Sequence, residues 1–360
     1  MDTLPLSIPE FEPLARERLS AEVWDYFAGG SGAEWTLAAN RAAFGKLALR
    51  PRMLVDVSDC RLATTLLGTE FATPVGIAPV AYHKLADPEG EVATARAAAA
   101  AGALYVVSVF ASRTLEEIAS AGATLWLQMY WFRKREVMLA LAERAAAAGY
   151  QALVLTLDTP RVGRRLRDLR RGFAVPPGIT AANVDPAVMA GTHLRRSGTS
   201  AIEQHSRDQF DPSVTWNDLD WLRGQTGMPL VVKGILTAED ARRAVKHGVA
   251  AIVVSNHGGR QLDGAVATMD ALPEVVDAVA GACPVLVDGG VRSGVDVLKA
   301  LASGASAVLV GRPVLWGLAY GGAEGAQAVL DLLTTELADA MVLSGRPRLA
   351  DLDRTLLTPA

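Results

Sequence analysis

Short, uninterrupted apolar runs recur along most of this chain, and longer stretches with helical spacing of apolar positions lie between them. The runs are Val75–Ala78, Leu104–Val107, Leu125–Met129, Ala152–Leu157, Leu230–Val232, Ala251–Val254, Val285–Val287 and Ala307–Val310. Runs of this kind, without polar alternation, predict strands buried on both faces. Alanine- and leucine-rich segments separate many of them: Glu89–Ala101, Leu115–Ala121, Lys134–Ala148, Ala238–His247, Met269–Ala280 and Gly294–Ala302. Strands alternating with helices predict an α/β fold with a parallel sheet, and eight of them predict a closed (β/α)8 TIM barrel. A doubly wound open sheet is the competing architecture. It would need polar or lysine-rich edge strands, and none of the eight runs has that character.

Residues 1–73 predict a helical extension ahead of a barrel spanning 74–360, the whole of 1–360 forming a single domain. Ser7 is placed to cap a helix through Pro9-Glu10-Phe11, and a second amphipathic stretch runs through Glu22–Phe27. Gly29-Gly30-Ser31-Gly32 stops it, and Glu34 to Phe44 predicts another helix. Pro51–Thr73 is turn-rich, with a short hairpin expected at the barrel's base. The connection after strand four is disproportionately long. Only Trp216–Gln225 has a helical pattern there, and the part from about 161 to 212 is rich in Arg, Gly, Pro and Ser. It predicts an extended, partly mobile loop on the active face, able to act as a lid.

Composition narrows the function classes. Half of the residues are hydrophobic and the net charge is −4, so nothing draws the chain generally to nucleic acid or an anionic membrane. The most apolar segment, Ala97–Ala111, is broken by Gly102 and falls short of the roughly 20 residues of a membrane span. Acids at Asp2, Glu10 and Glu12 and the lack of an apolar stretch argue against a secretory signal. Cys60 and Cys283 show no Cys-x-x-Cys spacing and read as reduced core residues, which points to a cytoplasmic protein.

Chemistry in such a barrel sits at the C-terminal ends of the strands. Those ends read Pro79-Val80-Ala81, Ser108, Gln128-Met129-Tyr130, Thr156-Leu157-Asp158, Lys233, Ser255-Asn256-His257, Asp288-Gly289-Gly290 and Gly311-Arg312. His257 can exchange a proton near neutrality, and Arg260, three residues on, can clamp a carboxylate. Asp158, Lys233, His257 and Arg260 on one rim are costly charges unless they bind something. The two glycine turns at strands seven and eight, each followed by an arginine (Arg292, Arg312), suit a phosphate. Singly, each residue has a plainer explanation. Lys233 could be solvated, Asp158 could be turn chemistry before Thr159-Pro160, and Arg164, Arg165, Arg167, Arg170 and Arg171 could form a solvated face. His83, His193, His205 and His247 read as structural. No metal site is expected. The argument rests on the chemistry gathered at one rim.

Ser-Asn-His-Gly-Gly-Arg-Gln-Leu-Asp (255–263), Val-Lys-Gly-Ile-Leu-Thr-Ala-Glu-Asp-Ala (232–241), Leu-Thr-Leu-Asp-Thr-Pro-Arg-Val-Gly-Arg-Arg (155–165) and Asp-Gly-Gly-Val-Arg-Ser-Gly (288–294) resemble the FMN-dependent 2-hydroxy acid oxidase and dehydrogenase family. The likeness runs from Asp25-Tyr26 to Gly311-Arg312-Pro313. Phe27–Gly32 and Pro79–Tyr82 are most similar to the hydroxymandelate oxidase branch. The resemblance implies FMN and oxidation of an (S)-2-hydroxy acid to a 2-oxo acid. It implies His257 as base, oriented by Asp158, and Lys233 near the pyrimidine edge of the flavin, where reduction builds negative charge. Arg165, Arg260 and Tyr26 would hold the substrate carboxylate, and Tyr130 its hydroxyl. Pro79, Val80 and Ala81 would lie beside the flavin, while Ser108, Gln128, Thr156 and Ser255 would bond its ring or ribityl chain. Asp288, Gly289, Gly290, Arg292, Gly311 and Arg312 would hold the ribityl–phosphate end. Relatives are typically homotetramers.

The departures from the family pattern concern specificity. Phe110 stands where glycolate-oxidising members carry Trp, Val80 where they commonly carry Thr, and Phe27 replaces a second Tyr. A less polar pocket walled by Phe110 and Ala81 favours a bulky, even aromatic, substrate side chain. O2 is the expected acceptor, with a quinone or protein acceptor as the alternative, and lactate or a long-chain hydroxy acid as alternative substrates. Two rival classes stand beside this one. One is a phosphate-binding barrel performing isomerisation or amine oxidation, which has no use for paired Arg165 and Arg260. The other is a non-catalytic ligand-binding relic, which has no use for the full polar set.

Overall fold

The computed structural model describes residues 4–185, 189–194 and 200–360. Eight parallel strands close into a barrel: Val75–Ile77, Leu104–Ser108, Thr124–Met129, Leu153–Thr156, Leu230–Ile235, Ala251–Val254, Val285–Asp288 and Ala307–Val310. Their order around the barrel follows the chain, and Val308↔Val75, Leu309↔Gly76 and Val310↔Ile77 join the last strand to the first. Closure removes the edges, so wholly apolar strands carry no pairing hazard. Val106, Trp126, Val154, Val231, Val253 and Leu286 fill the interior, and Leu66 and Phe71 join the same cluster. Those two belong to the antiparallel hairpin Thr64–Leu66/Thr69–Phe71, which plugs the barrel's base as the sequence predicts.

The extension is helical over Ile8–Arg18, Ala21–Ala28 and Trp35–Gly45, and the strand Leu47–Leu49 then pairs with Leu357–Pro359 at the other end of the chain. The predicted Ser7 cap is reversed. Its hydroxyl donates to Glu10 Oε1 at 2.8 Å, and Glu10 Oε2 accepts from Leu6 N at 3.0 Å. Helix Trp35–Gly45 is capped from a distance. Asp263 accepts from Thr36 N at 2.9 Å, an amide that the helix itself leaves open, and from Ala33 N at 2.8 Å in the turn before it.

The loop expected over 161–212 differs most from its prediction. Its described residues include helices Leu166–Arg171 and Ala201–Gln209 and a 3-10 turn at Ala190–His193. Residues 186–188 and 195–199 of that loop, and Asp2, lie outside the described residues. Ser200 starts the second helix by accepting from Glu203 N, and the helix turns Glu203, His205 and Ser206 inward. A buried face made mostly of polar residues leaves little apolar period to read. Arg167 and Arg171, for which a solvated face was the plainer alternative, pair with Glu34 at 2.6 Å and with Asp25, fastening this segment to the extension. Among the described residues, no helix is long and apolar enough to cross a membrane. Replacing Asp263 by Ala removes both remote cap bonds and should lower the unfolding free energy by about 1 kcal/mol. A reduced urea midpoint would register this; an unchanged midpoint would show that the remote cap does not hold the helix.

Candidate active site

The strand Ala251–Val254 runs into Ser255, which is fully buried. Its hydroxyl accepts from Lys233 Nζ at 2.7 Å and from His257 N at 3.0 Å, and donates to Asp288 Oδ1 at 2.7 Å. Lys233 Nζ also lies 3.1 Å from Asp288 Oδ2, so one hydroxyl and one buried ion pair lock three strand ends together. The chain then turns through His257 in the left-handed region, at φ 59°. That conformation costs a non-glycine residue roughly 1–2 kcal/mol. It brings His257 Nδ1 to 3.0 Å from Asp158 Oδ1 and 3.4 Å from Thr159 Oγ1. An ionised Asp158 only accepts, so Nδ1 carries the proton and Nε2 is the basic nitrogen. Burial lowers the pKa of His257 below the ordinary 6.5 against the pull of Asp158, and Lys233 and Arg165 add to the lowering. His257 is therefore neutral at pH 7, as a base must be. Burial also acts to raise Asp158, but His257, Lys233 and Thr159 outweigh it and hold the carboxyl below its usual 3.8.

Arg165, Arg260, Arg292 and Arg312 all face the same pocket. Burial, and then Arg165, pull the pKa of Arg260 down to about 10; burial, and then Arg41, do the same to Arg292. Arg312 is held well below its ordinary value by burial and by Arg260, Arg292 and Arg165. Among the described residues, Arg165 Nε and Arg292 Nε are buried without a hydrogen-bond partner. Buried like charges with open donors define a place for anions. Two of these arginines have a structural task as well. Arg312 donates to Phe27 O at 2.9 Å, Gly29 O at 2.9 Å and Gly258 O at 3.0 Å, and Arg260 donates to Gly29 O at 2.8 Å. They tie the end of helix Ala21–Ala28 to the His257 loop and so set Tyr26, whose ring lies 5.3 Å below the Arg260 guanidinium.

The remaining wall is aromatic. Tyr130 stacks on Phe210 at 4.7 Å and on Phe110 at 5.5 Å, with His257 6.5 Å away. Burial pushes the Tyr130 hydroxyl far above its ordinary 10, which keeps its proton on as a donor. Val162, Ile202, His205, Ser206 and Phe210 line the pocket too, all from the long connection after strand four. His205, read as structural, stands edge-on to Phe110 at 5.7 Å in this wall. The Ser200…Glu203 pair, a helix-start spacing, was the available signal for these residues.

Of the residues expected at the site, Tyr26, Pro79, Val80, Ala81, Ser108, Lys233, Asp288, Gly289, Gly290 and Gly311 line this pocket. Gln128, Thr156, Ser255 and Asp158 are not in the lining. Gln128 and Thr156 are both buried, and Gln128 Nε2 donates to Thr156 Oγ1 at 3.0 Å. Gly290 sits at φ 89°, and a Cβ there would fall 2.1 Å from Asn40 O, so the turn beside Arg292 accepts only glycine. An open guanidinium donor at a glycine turn, with a buried cation and hydroxyl set at neighbouring strand ends, fits a phosphate-bearing ring cofactor such as FMN. Among the described residues, no group of three His, Cys, Asp or Glu could hold a metal ion.

Residues 15–359 match the FMN-dependent dehydrogenase family. The chain is 50% identical to L-lactate oxidase of Nostoc sp. over 359 residues, covering 98% of each protein. It is 51% identical to 4-hydroxymandelate oxidase of Amycolatopsis orientalis over 340 residues, covering 94% of each. The crystal structure of mandelate oxidase with (S)-4-hydroxymandelic acid superposes with a TM-score of 0.95 at 49% identity, over 99% of both chains. This protein belongs to the FMN-dependent dehydrogenase family, and FMN is its cofactor.

The charge balance at His257 sets a pH profile. The acid limb of kcat/KM should fall below pH 6.5, and Asp158→Asn, which removes the group that raises the imidazole, should move it lower still. An acid limb in Asp158→Asn at or above the unsubstituted protein's would contradict the coupling.

Proposed function

We propose that the protein oxidises an (S)-2-hydroxy acid with a bulky or aromatic side chain to the 2-oxo acid, with dioxygen as acceptor. The observation that carries this is an imidazole bonded to Asp158 at 3.0 Å in a pocket that also contains the Arg165 and Arg260 guanidiniums. Bound FMN would supply the two-electron redox chemistry that links the hydroxy acid to O2, with H2O2 as the reduced product.

The chain's own residues do the rest. Arg165 and Arg260 grip the substrate carboxylate, with the Tyr26 hydroxyl beside them. Tyr130 donates to the substrate hydroxyl. His257 Nε2 takes a proton from the substrate, and Asp158 stabilises the imidazolium that forms. Lys233, buried against Ser255 and Asp288, supplies positive charge for the reduced state. Ser108 in the pocket lining, with Gln128, Thr156 and Ser255 behind it, would hold the ring and ribityl chain, and Asp288, Gly289, Gly290, Arg292, Gly311 and Arg312 would hold the phosphate end, with Pro79, Val80 and Ala81 beside the ring. Phe110 and Phe210, stacked at 6.2 Å, with Ala81, give the substrate side chain apolar and aromatic walls, which supports a bulky group over glycolate.

A cytoplasmic homotetramer completes this reading. The free thiols of Cys60 and Cys283 suit a reducing compartment. Self-association would cover Met53 and Leu54, exposed at 69% and 106%.

The purified protein should be yellow and should bleach anaerobically with (S)-mandelates faster than with glycolate. His257→Gln should keep the colour and slow bleaching by about 10²- to 10⁴-fold, the usual contribution of a general base. Bleaching by His257→Gln at the unsubstituted rate would remove His257 from this role, and a preference for glycolate would overturn the substrate class. Arg292→Ala should chiefly weaken FMN retention, measured as flavin lost on gel filtration.

A further inference from the structure

The reaction as described leaves Asp168 without a task. Its side chain is 2% exposed, and it lies in the first turn of helix Leu166–Arg171, three residues after Arg165. Acids in a first helical turn ordinarily bond the open amides there. Asp168 bonds none: among the described residues, neither of its carboxylate oxygens has a hydrogen-bond partner. Helix Leu166–Arg171 packs on helix Ala21–Ala28, which carries Tyr26. The charged groups that act on Asp168 are Arg165, Arg260 and Arg167, which favour its anion, and Asp25, which opposes it. Asp25 is itself engaged by Arg171, and Arg167 by Glu34. Burial outweighs the arginines and raises the carboxyl above its ordinary 3.8.

The buried cluster thus holds one carboxylate near the two guanidiniums assigned to the substrate's carboxylate. A ligand carboxylate adds a second negative charge to the same low-dielectric space. When two carboxylates share a site, one of them is driven to keep a proton. The ligand carboxylate gains the donors of two arginines, whereas Asp168 has none, so Asp168 is the member that neutralises. We propose that Asp168 is the counter-charge of the empty carboxylate site and takes up a proton from solvent when a substrate carboxylate binds to Arg165 and Arg260. The proton returns to solvent when the product leaves, so the cluster's net charge stays constant through the cycle. Asp168 is a positioning residue in this scheme: it acts through the two arginines and touches no reacting atom. The proposal rests on the reading that Arg165 and Arg260 hold the substrate carboxylate.

The test uses FMN-loaded His257→Gln, which removes the imidazole's own titration, and phenylglyoxylate as a ligand that is already oxidised. Binding is followed by the flavin spectrum between pH 5 and 8, and proton exchange by an indicator dye in weak buffer. The expected result is uptake of up to one proton per ligand, with Kd rising as pH rises, by at most about tenfold per pH unit. His257→Gln/Asp168→Asn should bind with a Kd independent of pH over that range and take up no proton. Full uptake in the double variant, or no uptake in His257→Gln, overturns the proposal, and the second result needs no Asp168 variant to fold. Arg260→Leu in the same background separates the two readings. Lost binding there without proton uptake in His257→Gln removes Asp168's role and leaves the carboxylate site standing. Unchanged binding removes the carboxylate site, and this proposal with it.

Discussion

The 3.0 Å bond between His257 Nδ1 and Asp158 Oδ1 joins the ends of two barrel strands that are not neighbours, and much of the upper face exists to hold it. It requires His257 in the left-handed region, which an isolated loop would not sustain. Three contacts offset that strain. Ser255 Oγ accepts the His257 amide, Asn40 and Asn256 exchange amide bonds at 2.8 and 2.7 Å, and Gln261 Nε2 donates to Asp158 O at 2.7 Å. Asn40 belongs to the N-terminal extension, so the extension is part of the machinery that orients the base. Asp263, nine residues beyond Val254, returns the favour by capping the helix that carries Asn40.

Charge is the second organising constraint. Lys233 and Asp288 are both buried and neutralise one another, and the Ser255 hydroxyl satisfies further lone pairs and protons of that pair. The arginines are treated differently: they are buried close enough to lower one another's pKa, and part of their donor capacity is open. Removing such groups from water is costly unless anions complete the set. On the proposed function a phosphate-bearing cofactor and a carboxylate substrate would supply those anions, so the fold's electrostatics and its chemistry would be one requirement.

The barrel was legible because each strand is buried on both faces and leaves an unbroken apolar run, as in Ala251–Val254. His257 and Asp158, the proposed base and its carboxylate, were legible because they stand just beyond strand ends. What stayed hidden depends on contacts between distant segments. Arg167 and Arg171 look like solvated charges until Glu34 and Asp25 are brought alongside them. Helix Ala201–Gln209 buries Glu203, His205 and Ser206 beside Ala201, so its inward face is mostly polar and carries little apolar signature. Consequently His205 passed for a structural histidine although it stands in the pocket wall. Nothing local to Arg312 foretells that it also braces the carbonyls of Phe27 and Gly29.

A crystal structure of the FMN-loaded protein with a slowly reacting 2-hydroxy acid is the most direct measurement of this arrangement. The account predicts the ligand's carboxylate between the Arg165 and Arg260 guanidiniums, with C2 and its hydroxyl facing His257 Nε2 and the Tyr130 hydroxyl. A carboxylate bound away from both arginines, or an imidazole turned from Asp158 toward solvent in that complex, would contradict it.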